Sequence, residues 1–455
     1  SNNSLIFFFF LYKIMLSIHL MEMKGDNYML NIKKIKLKGF KNIEEIELRL
    51  NKVTSLLSIN NFGKSNLLNG IDFGIDFITR PENVKKRMMS WKDALPLNKN
   101  IKNKDFSFEL EFTTTIKKEE CDVIYGYSFN WSTDKNKPSK IKNEYLKIKD
   151  TQKYTCYVRR NSQNAYYKSS KSGSCQKNIV IGNQELVINK LKSFDSLFYM
   201  DIVKIINNIN IYIDRHFDPR NSYDINPFII KSDQDISLLH DNNVPRILEE
   251  IKETNPNKYA RLINTFKDLF PFVQDIEVKT YKIEAENIKG SPLDGTEPFE
   301  LSDKLYYLFV KDKNLSQRVS FKLMSDGAKR VLTILTYLTV ADINNFPLIA
   351  IEEPENSVHP RLLQQYLISL DSFLENSKII ITSHSSHLIN YINPNNLYLG
   401  IPNEKGLAKF SKIKESAIRR LMNDASELNL LVGEYLFDLM SGTEEDIETL
   451  SSYVE

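Results

Sequence analysis

Between Leu30 and Leu50 apolar and polar positions alternate in two runs, broken at Gly39-Phe40-Lys41-Asn42, which predicts two strands. Val53 to Ser58 is a short apolar run suited to a buried strand. A polar loop follows, and a helix-like stretch, KSNLLNGIDFGIDFI, begins near Lys64. Residues 105–181 read as β-rich through FSFELEFTTTI, YGYSFNW and KYTCYVRR. Lys190 to Phe272 turns helical, strand character returns at Gln274–Lys282 and Leu305–Val310, and Met324 to Leu338 opens another helix. Pro347–Ile351 and Lys378–Thr382 are short and fully apolar, as strands buried on both faces of a parallel sheet are. Heptads long enough for a coiled-coil arm are missing, and so is any internal repeat.

Composition narrows this little. A chain of 455 residues can bury one large core or two moderate ones. Its 61 basic and 58 acidic residues leave a formal charge of +3, so a nucleic-acid footprint would have to be a local patch. Cys121, Cys156 and Cys175 show no CxxC spacing, which argues against a zinc site or a disulfide framework and for a reducing, cytoplasmic setting. Leu5–Met21 is largely apolar but is interrupted by Lys13 and His19. It fits neither a membrane span of about 20 apolar residues nor the flanks of a signal peptide. Residues 1–28 are read as a tag or upstream extension, with the natural start near Met29 and no membrane association.

Four motifs carry the chemistry. Ser58-Ile-Asn-Asn-Phe-Gly63-Lys64-Ser65-Asn66 lies between a strand and a helix, the setting in which backbone N–H groups and a helix N-terminus cradle phosphates. Its nucleotide-binding candidates are Asn60, Asn61, Gly63, Lys64, Ser65 and Asn66. Lys64 would neutralise the β- and γ-phosphates, and the Ser65 hydroxyl would ligate Mg²⁺. Phe346-Pro-Leu-Ile-Ala-Ile351-Glu352-Glu353-Pro354-Glu355 is an apolar strand ending in two acids. Glu352 would hold the metal through water, and Glu353 would orient or deprotonate an attacking water. In Ile379-Ile-Ile-Thr-Ser383-His384-Ser-Ser-His387, His384 follows another buried strand and can reach the γ-phosphate edge, whereas His387 reads as structural. Leu323-Met-Ser325-Asp-Gly327 opens a helix, so Ser325 and Gly327 offer either an N-cap or a second anion site, and both can hold at once.

These motifs, in this order, resemble those of ABC/SMC-like AAA family ATPase heads. They look closest to the prokaryotic branch of overcoming-lysogenization-defect (OLD) nucleases and Septu-type antiviral ATPases. The resemblance spans Met29 to Ile401 and rests on LKGFKNI, NNFGKSNLL, LMSDGAKRVL, IEEPENSVHPRLLQ and IITSHSSHL. It implies an α/β fold: an ABC/SMC-type P-loop ATPase head with mixed β-sheet, parallel core and an inserted helical subdomain, which VPRILEEIKETNPNKYARLINTFKDLFP resembles. The expected organisation is an N-lobe over 29–185, the helical insertion over 186–275, a C-lobe over 276–401 and a helical tail over 402–455. It further implies ATP and Mg²⁺ as cofactors and a homodimer, or a higher even-numbered oligomer, formed head to head. In it Ser325 and Gly327 of one copy complete the site of the other, and Asn356–Pro360 crosses the interface.

Three departures stand out. Ser58 replaces the first loop glycine, Glu352 stands where Asp is usual, and no Gln occurs before Gln152, where the γ-phosphate-sensing Gln is expected. Slow or partner-dependent hydrolysis is the expectation. About 70 residues follow His384, too few for the Toprim nuclease domain of some relatives, since an added domain takes roughly 100. Effector chemistry, a nuclease or toxin, is therefore expected in a separate protein, in an anti-phage setting. A RecF-like recombination ATPase binding DNA directly is the alternative, and a nucleotide-binding scaffold without turnover is a third reading. Residues 135–177 mix basic and aromatic side chains, which could stack on and neutralise nucleic acid, but a plain β-meander is the simpler reading.

Overall fold

The alternation between Leu30 and Leu50 becomes a hairpin of β1 (Leu30–Phe40) and β2 (Ile43–Arg49), with Phe40 opposite Ile43. Its turn is fixed by positive φ at Gly39 (65°) and Lys41 (50°), and a Cβ on Gly39 would overlap the Asp105 carbonyl. β3 (Val53–Leu57) then leads through the polar loop into α1 (Lys64–Thr79), followed by α2 (Glu82–Met88). The β-rich stretch folds as β4 (Phe106–Ile116), β5 (Glu119–Phe129), β6 (Ile141–Asp150), β7 (Lys153–Arg160), β8 (Ala165–Tyr167) and β9 (Lys177–Asn178). Together with the first hairpin they make an eight-stranded antiparallel sheet ordered β2-β1-β4-β5-β6-β7-β8-β9. This computed structural model describes residues 30–60, 62–116, 119–132, 138–150, 152–194, 196–214, 221–230, 243–283, 299–373, 377–401 and 405–455. The extension over 1–28 and the loop residue Asn61 lie outside them.

The region read as helical from Lys190 onward holds α3 (Val187–Leu191), α4 (Met200–Asn207), α5 (Val244–Thr254) and α6 (Pro256–Leu269). It also holds two strands, β10 (Tyr212–Asp214) and β11 (Phe228–Ile230), which that reading missed because three residues are too few to show a period of two. Next come β12 (Val273–Lys282), β13 (Phe299–Leu301), β14 (Lys304–Asp312), β15 (Val319–Ser320) and α7 (Asp326–Ile343). The remainder is β16 (Leu348–Glu352), α8 (Pro360–Phe373), β17 (Lys378–Ser383), α9 (Ser386–Ile389), β18 (Leu397–Gly400) and β19 (Phe410–Lys412). It closes with α10 (Ile418–Glu427), α11 (Val432–Ser441) and α12 (Glu444–Ser452). A second sheet runs β10-β16-β17-β3-β18-β19, and its β16, β17, β3 and β18 are mutually parallel. β19 pairs antiparallel with β18, so the stretch expected to be a helical tail also supplies a strand of this sheet. The fold is α/β, with an antiparallel sheet, a parallel core and helices inserted between β10 and β12.

Two compact units emerge. One is built from the described parts of Tyr28–Ile213, Phe346–Glu353 and Asn376–Glu455, the other from those of Asp214–Asn345 and Pro354–Glu375. In the first, α1 packs on the antiparallel sheet through its glycines: a Cβ on Gly70 would overlap Leu37, and one on Gly74 the Phe108 ring. Aromatic rings fill the space left, with Phe77 and Phe129 4.8 Å apart and Phe73 and Phe106 5.1 Å apart. Their polar neighbours find carbonyls: Tyr127 Oη donates to Gly74 (2.7 Å) and Trp131 Nε1 to Gly39 (2.9 Å).

The second unit centres on α7, which is buried along most of its length. Its threonines Thr333, Thr336 and Thr339 are satisfied by donating to Lys329, Leu332 and Leu335 carbonyls at 2.7–2.8 Å. Arg330 pairs with Asp214 at 2.7 Å, each side chain only 5% exposed. A charge pair this buried is costly to break singly. Replacing Gly74 with Ala forces a methyl into the Phe108 ring, and overpacking of this kind costs about 1–3 kcal/mol. The urea unfolding midpoint of Gly74→Ala is expected to fall accordingly; an unchanged midpoint would refute this helix–sheet contact.

Candidate active site

Three parallel strands end side by side. In the register of the second sheet Glu352 lies opposite Thr382, Thr382 opposite Leu56, and Ser383 opposite Leu57. The segments leaving β16, β17 and β3 therefore emerge at one edge, and the carboxyl ends of parallel strands are where α/β sheets bind ligands. Glu353, first after β16, has φ of 47° and donates its N–H to the Thr382 carbonyl at 2.9 Å. A left-handed backbone costs a non-glycine residue about 1–2 kcal/mol, and such strain is held where a side chain must be aimed. Here Glu353 Oε1 stands 2.8 Å from Nδ1 of His384. With Glu353 ionised, Nδ1–H donates to it, and Nε2 is the ring nitrogen that remains for another partner. Beyond β17, Ser385 N–H donates to Ser383 Oγ at 2.9 Å, and His387 is exposed on α9.

The loop after β3 is held from outside. Gly63 caps α1 with φ of 118°, and a Cβ there would lie 2.8 Å from Ala408 Cβ. Only glycine meets both conditions. Lys64 is buried, and its Nζ donates to the Ser58 carbonyl (2.8 Å), Ser58 Oγ (3.2 Å) and the Ile59 carbonyl (3.3 Å). Ser58, fully buried where the usual pattern has glycine, thus serves as a partner of the lysine. Asn60 and Ser65 are exposed. With glycine at the N-cap and no acid in the first turn of α1, its leading N–H groups suit an anion.

Several residues of this frame were not singled out from the sequence. Asn42 Nδ2 donates to the Phe62 carbonyl (3.3 Å), its Oδ1 accepts from Asn66 Nδ2 (2.9 Å), and its carbonyl accepts from Ala408 N–H (2.9 Å). Phe62 stacks edge-on with Phe410 of β19 at 5.5 Å. Asn42 lies in the Gly-Phe-Lys-Asn break, legible beforehand only as a turn. The part played by the β18–β19 hairpin has no local signal at all.

The remaining site candidates lie in the second unit. Ser325 caps α7, its Oγ accepting from Ala328 N–H at 3.3 Å. Gly327 has a structural reason of its own: a Cβ would overlap the carbonyl of Ser357, itself at φ 65°. As a metal donor set, the Ser65 hydroxyl and the buried Glu352 carboxylate are hard oxygens of the kind Mg²⁺ takes, alongside phosphate oxygens and water. Among the described residues no three His, Cys, Asp or Glu side chains cluster as an all-protein metal cage, which such an ion does not require.

Gly400 makes room for the loop. A Cβ there would come within 2.5 Å of Ser58 Cβ and 2.7 Å of Phe62 Cδ1. Gly400→Ala is expected to raise amide hydrogen exchange across residues 58–66, and adding Ser58→Gly should restore part of the protection. Protection equal to wild type in the single variant would refute the contact.

Residues 30–389 match the family model described as AAA ATPase domain. No curated protein matches the chain. Among solved structures, an SmcHead bound to the C-winged helix domain of ScpA aligns over 86% of this chain and 99% of its own, with 13% identity and a TM-score of 0.47. The SMC head domain from Thermotoga maritima aligns over 84% and 99%, with 13% identity and a TM-score of 0.40. The recombination mediator RecF aligns over 84% and 98%, with 11% identity and a TM-score of 0.37. The family match runs from β1 to the last residue of α9, taking in the loop Ser58–Asn66, Glu352, Glu353 and His384, and the chain belongs to the AAA ATPase domain family.

Proposed function

We propose that this chain binds ATP in the loop Ser58–Asn66 and hydrolyses it with Glu353 and His384. It would act as a nucleotide-controlled switch for a separate effector protein in bacterial anti-phage defence, on the OLD/Septu-type branch. The observation that carries the catalytic part is the 2.8 Å contact of Glu353 Oε1 with His384 Nδ1, beside the strand that feeds the phosphate loop. Lys64 leaves its loop carbonyls for the β- and γ-phosphates. Ser65 and Glu352 would hold Mg²⁺, which supplies charge neutralisation on the phosphate oxygens. Glu353 accepts a proton from water as the water oxygen bonds to Pγ and the bond from Pγ to the ADP oxygen breaks. His384 holds that carboxylate in place and presents its second nitrogen to the transferred group.

Ser325 and Gly327 of a second copy are assigned to close over the nucleotide, making the working unit a head-to-head dimer or a higher even-numbered oligomer. The defence assignment rests on the Glu-Glu-Pro-Glu-Asn-x-x-His-Pro string. Nucleic-acid binding has less support, because three cations of the 135–177 region already sit on its rings. Lys147 lies 5.2 Å from Tyr145, Arg159 5.1 Å from Tyr166 and Lys168 4.8 Å from Tyr157.

Glu353→Gln is expected to lower kcat about 10²–10⁴-fold while ATP still binds, and Lys64→Ala to abolish the thermal shift produced by ATP. Equal background turnover by wild type and Glu353→Gln would leave only a nucleotide scaffold. With ATP, Glu353→Gln should accumulate as a dimer in sedimentation, and adding Ser325→Arg should return it to the monomer. A dimer that survives Ser325→Arg would remove that residue from the interface. Salt-dependent DNA affinity of the ATP-bound form would instead favour the recombination reading.

A further inference from the structure

β19 has only three residues, yet both of its edges are occupied. On one side it pairs with β18, Gly400 opposite Phe410, Leu399 opposite Ser411 and Tyr398 opposite Lys412. On the other side lie residues 453–455, which follow directly on α12. Lys414 N–H donates to the Tyr453 carbonyl and Glu455 N–H to the Lys412 carbonyl, both at 2.9 Å. Between them Ile413 and Val454 form an antiparallel bridge. Residues 453–455 therefore close the edge of β19 that faces away from β18.

Side chains tie this short segment down. Tyr453 and Val454 are buried. Tyr453 Oη donates to the Asp424 carboxylate of α10 and lies 3.2 Å from Tyr435 Oη of α11. Arg420 of α10 stands over the Tyr453 ring at 4.6 Å, and its Nη2 donates to Ser452 Oγ at 2.6 Å. A segment this short is ordered only where something holds it. What it holds in turn is the support of the loop Ser58–Asn66. Phe410 of β19 meets the Phe62 ring edge-on at 5.5 Å. Ala408, two residues earlier, donates its N–H to the Asn42 carbonyl at 2.9 Å, and its Cβ fills the space beside Gly63. A three-residue strand bonded on one side only opens locally at little cost, and a second bonded edge raises that cost.

We propose that Tyr453, Val454 and Glu455 are positioning residues for the stretch Phe62–Asn66. By closing the second edge of β19 they keep Phe410 seated on Phe62, and Ala408 on Asn42 and Gly63. The loop then stays in the form that receives a nucleoside triphosphate. The segment acts through β19, two contacts away from the loop. When fewer molecules hold the loop in place, the apparent Kd rises as the inverse of that fraction, about tenfold when it falls to a tenth. The effect on nucleotide rests on the ATP reading, whereas the effect on loop order does not.

The test compares the whole protein with three variants: the chain ended at Ser452, Glu455→Pro, which removes the N–H given to Lys412, and Tyr453→Phe, which keeps the ring and the backbone bonds. Amide hydrogen exchange is followed without nucleotide, and ATP affinity with Mg²⁺ is measured by calorimetry. Ending the chain at Ser452 should speed exchange at 408–413 and at 62–68 together and leave β4–β6 at wild-type rates. It should also raise the Kd for ATP about tenfold. Glu455→Pro should act in the same direction to a smaller extent, and Tyr453→Phe should stay near wild type. In steady-state hydrolysis the loss should fall on KM, with kcat held within about twofold. Faster exchange at 408–413 with 62–68 unchanged overturns the proposal. So does equal loosening of β4–β6, which would make the segment a general prop. If the shortened chain does not fold, Glu455→Pro decides on the same criteria. An unchanged Kd beside a loosened loop overturns the nucleotide half. A wild type that binds no ATP, with the loop loosened in the variants, upholds the positioning role and removes the ATP reading instead.

Discussion

The register of three parallel strands is the constraint on which the candidate site depends. β16, β17 and β3 hydrogen-bond so that Glu352, Thr382 and Leu56 stand level. A slip of one residue would exchange the faces of every side chain on the slipped strand. It would also carry Glu353 or His384 out of reach of the other. The backbone bond from Glu353 N–H to Thr382 reinforces the register after pairing has ended, and it accompanies the left-handed turn at Glu353. Apolar burial sets the alignment: Ile349–Ile351 and Ile379–Ile381 are at most 1% exposed, leaving no alternative face for them.

Around that edge the protein builds a rigid frame from parts distant in sequence. The β1–β2 turn supplies Asn42, β18 supplies the space at Gly400, and the approach to β19 supplies Ala408. The loop is thereby held at both ends, leaving α1 to enter the aromatic core through Gly70 and Gly74. Ser58 belongs to the same frame. Its hydroxyl is a partner of Lys64, and its bulk fits because the residue opposite has no side chain. What looks in the sequence like a departure from the usual loop pattern is a matched pair in the fold.

The second unit follows a different economy. α7 is buried along most of its length and still carries Arg330 and three threonines. Each is satisfied locally, by Asp214 or by the carbonyl one turn back. Its N-terminus remains exposed at Ser325, and the approach of the Ser357 carbonyl leaves no room for a side chain at Gly327. Glycine here answers first to packing, so this position by itself says little about a ligand.

The sequence by itself determined most of the elements and singled out the candidate residues. The β1–β2 hairpin, β3, α1, the β-meander and the two apolar strands were legible, because each carries a period or a buried run long enough to register. The strand-loop-helix around Gly63 and Lys64, the paired acids and His384 were legible because their spacing is local. Only the tertiary structure decided what crosses long separations. Asn42 met Phe62 and Asn66, Gly400 met Ser58, β19 joined the core sheet, and β10 became its edge. None of these leaves a periodic trace, since short strands and single side chains are placed by the packing of distant segments and not by their own neighbours.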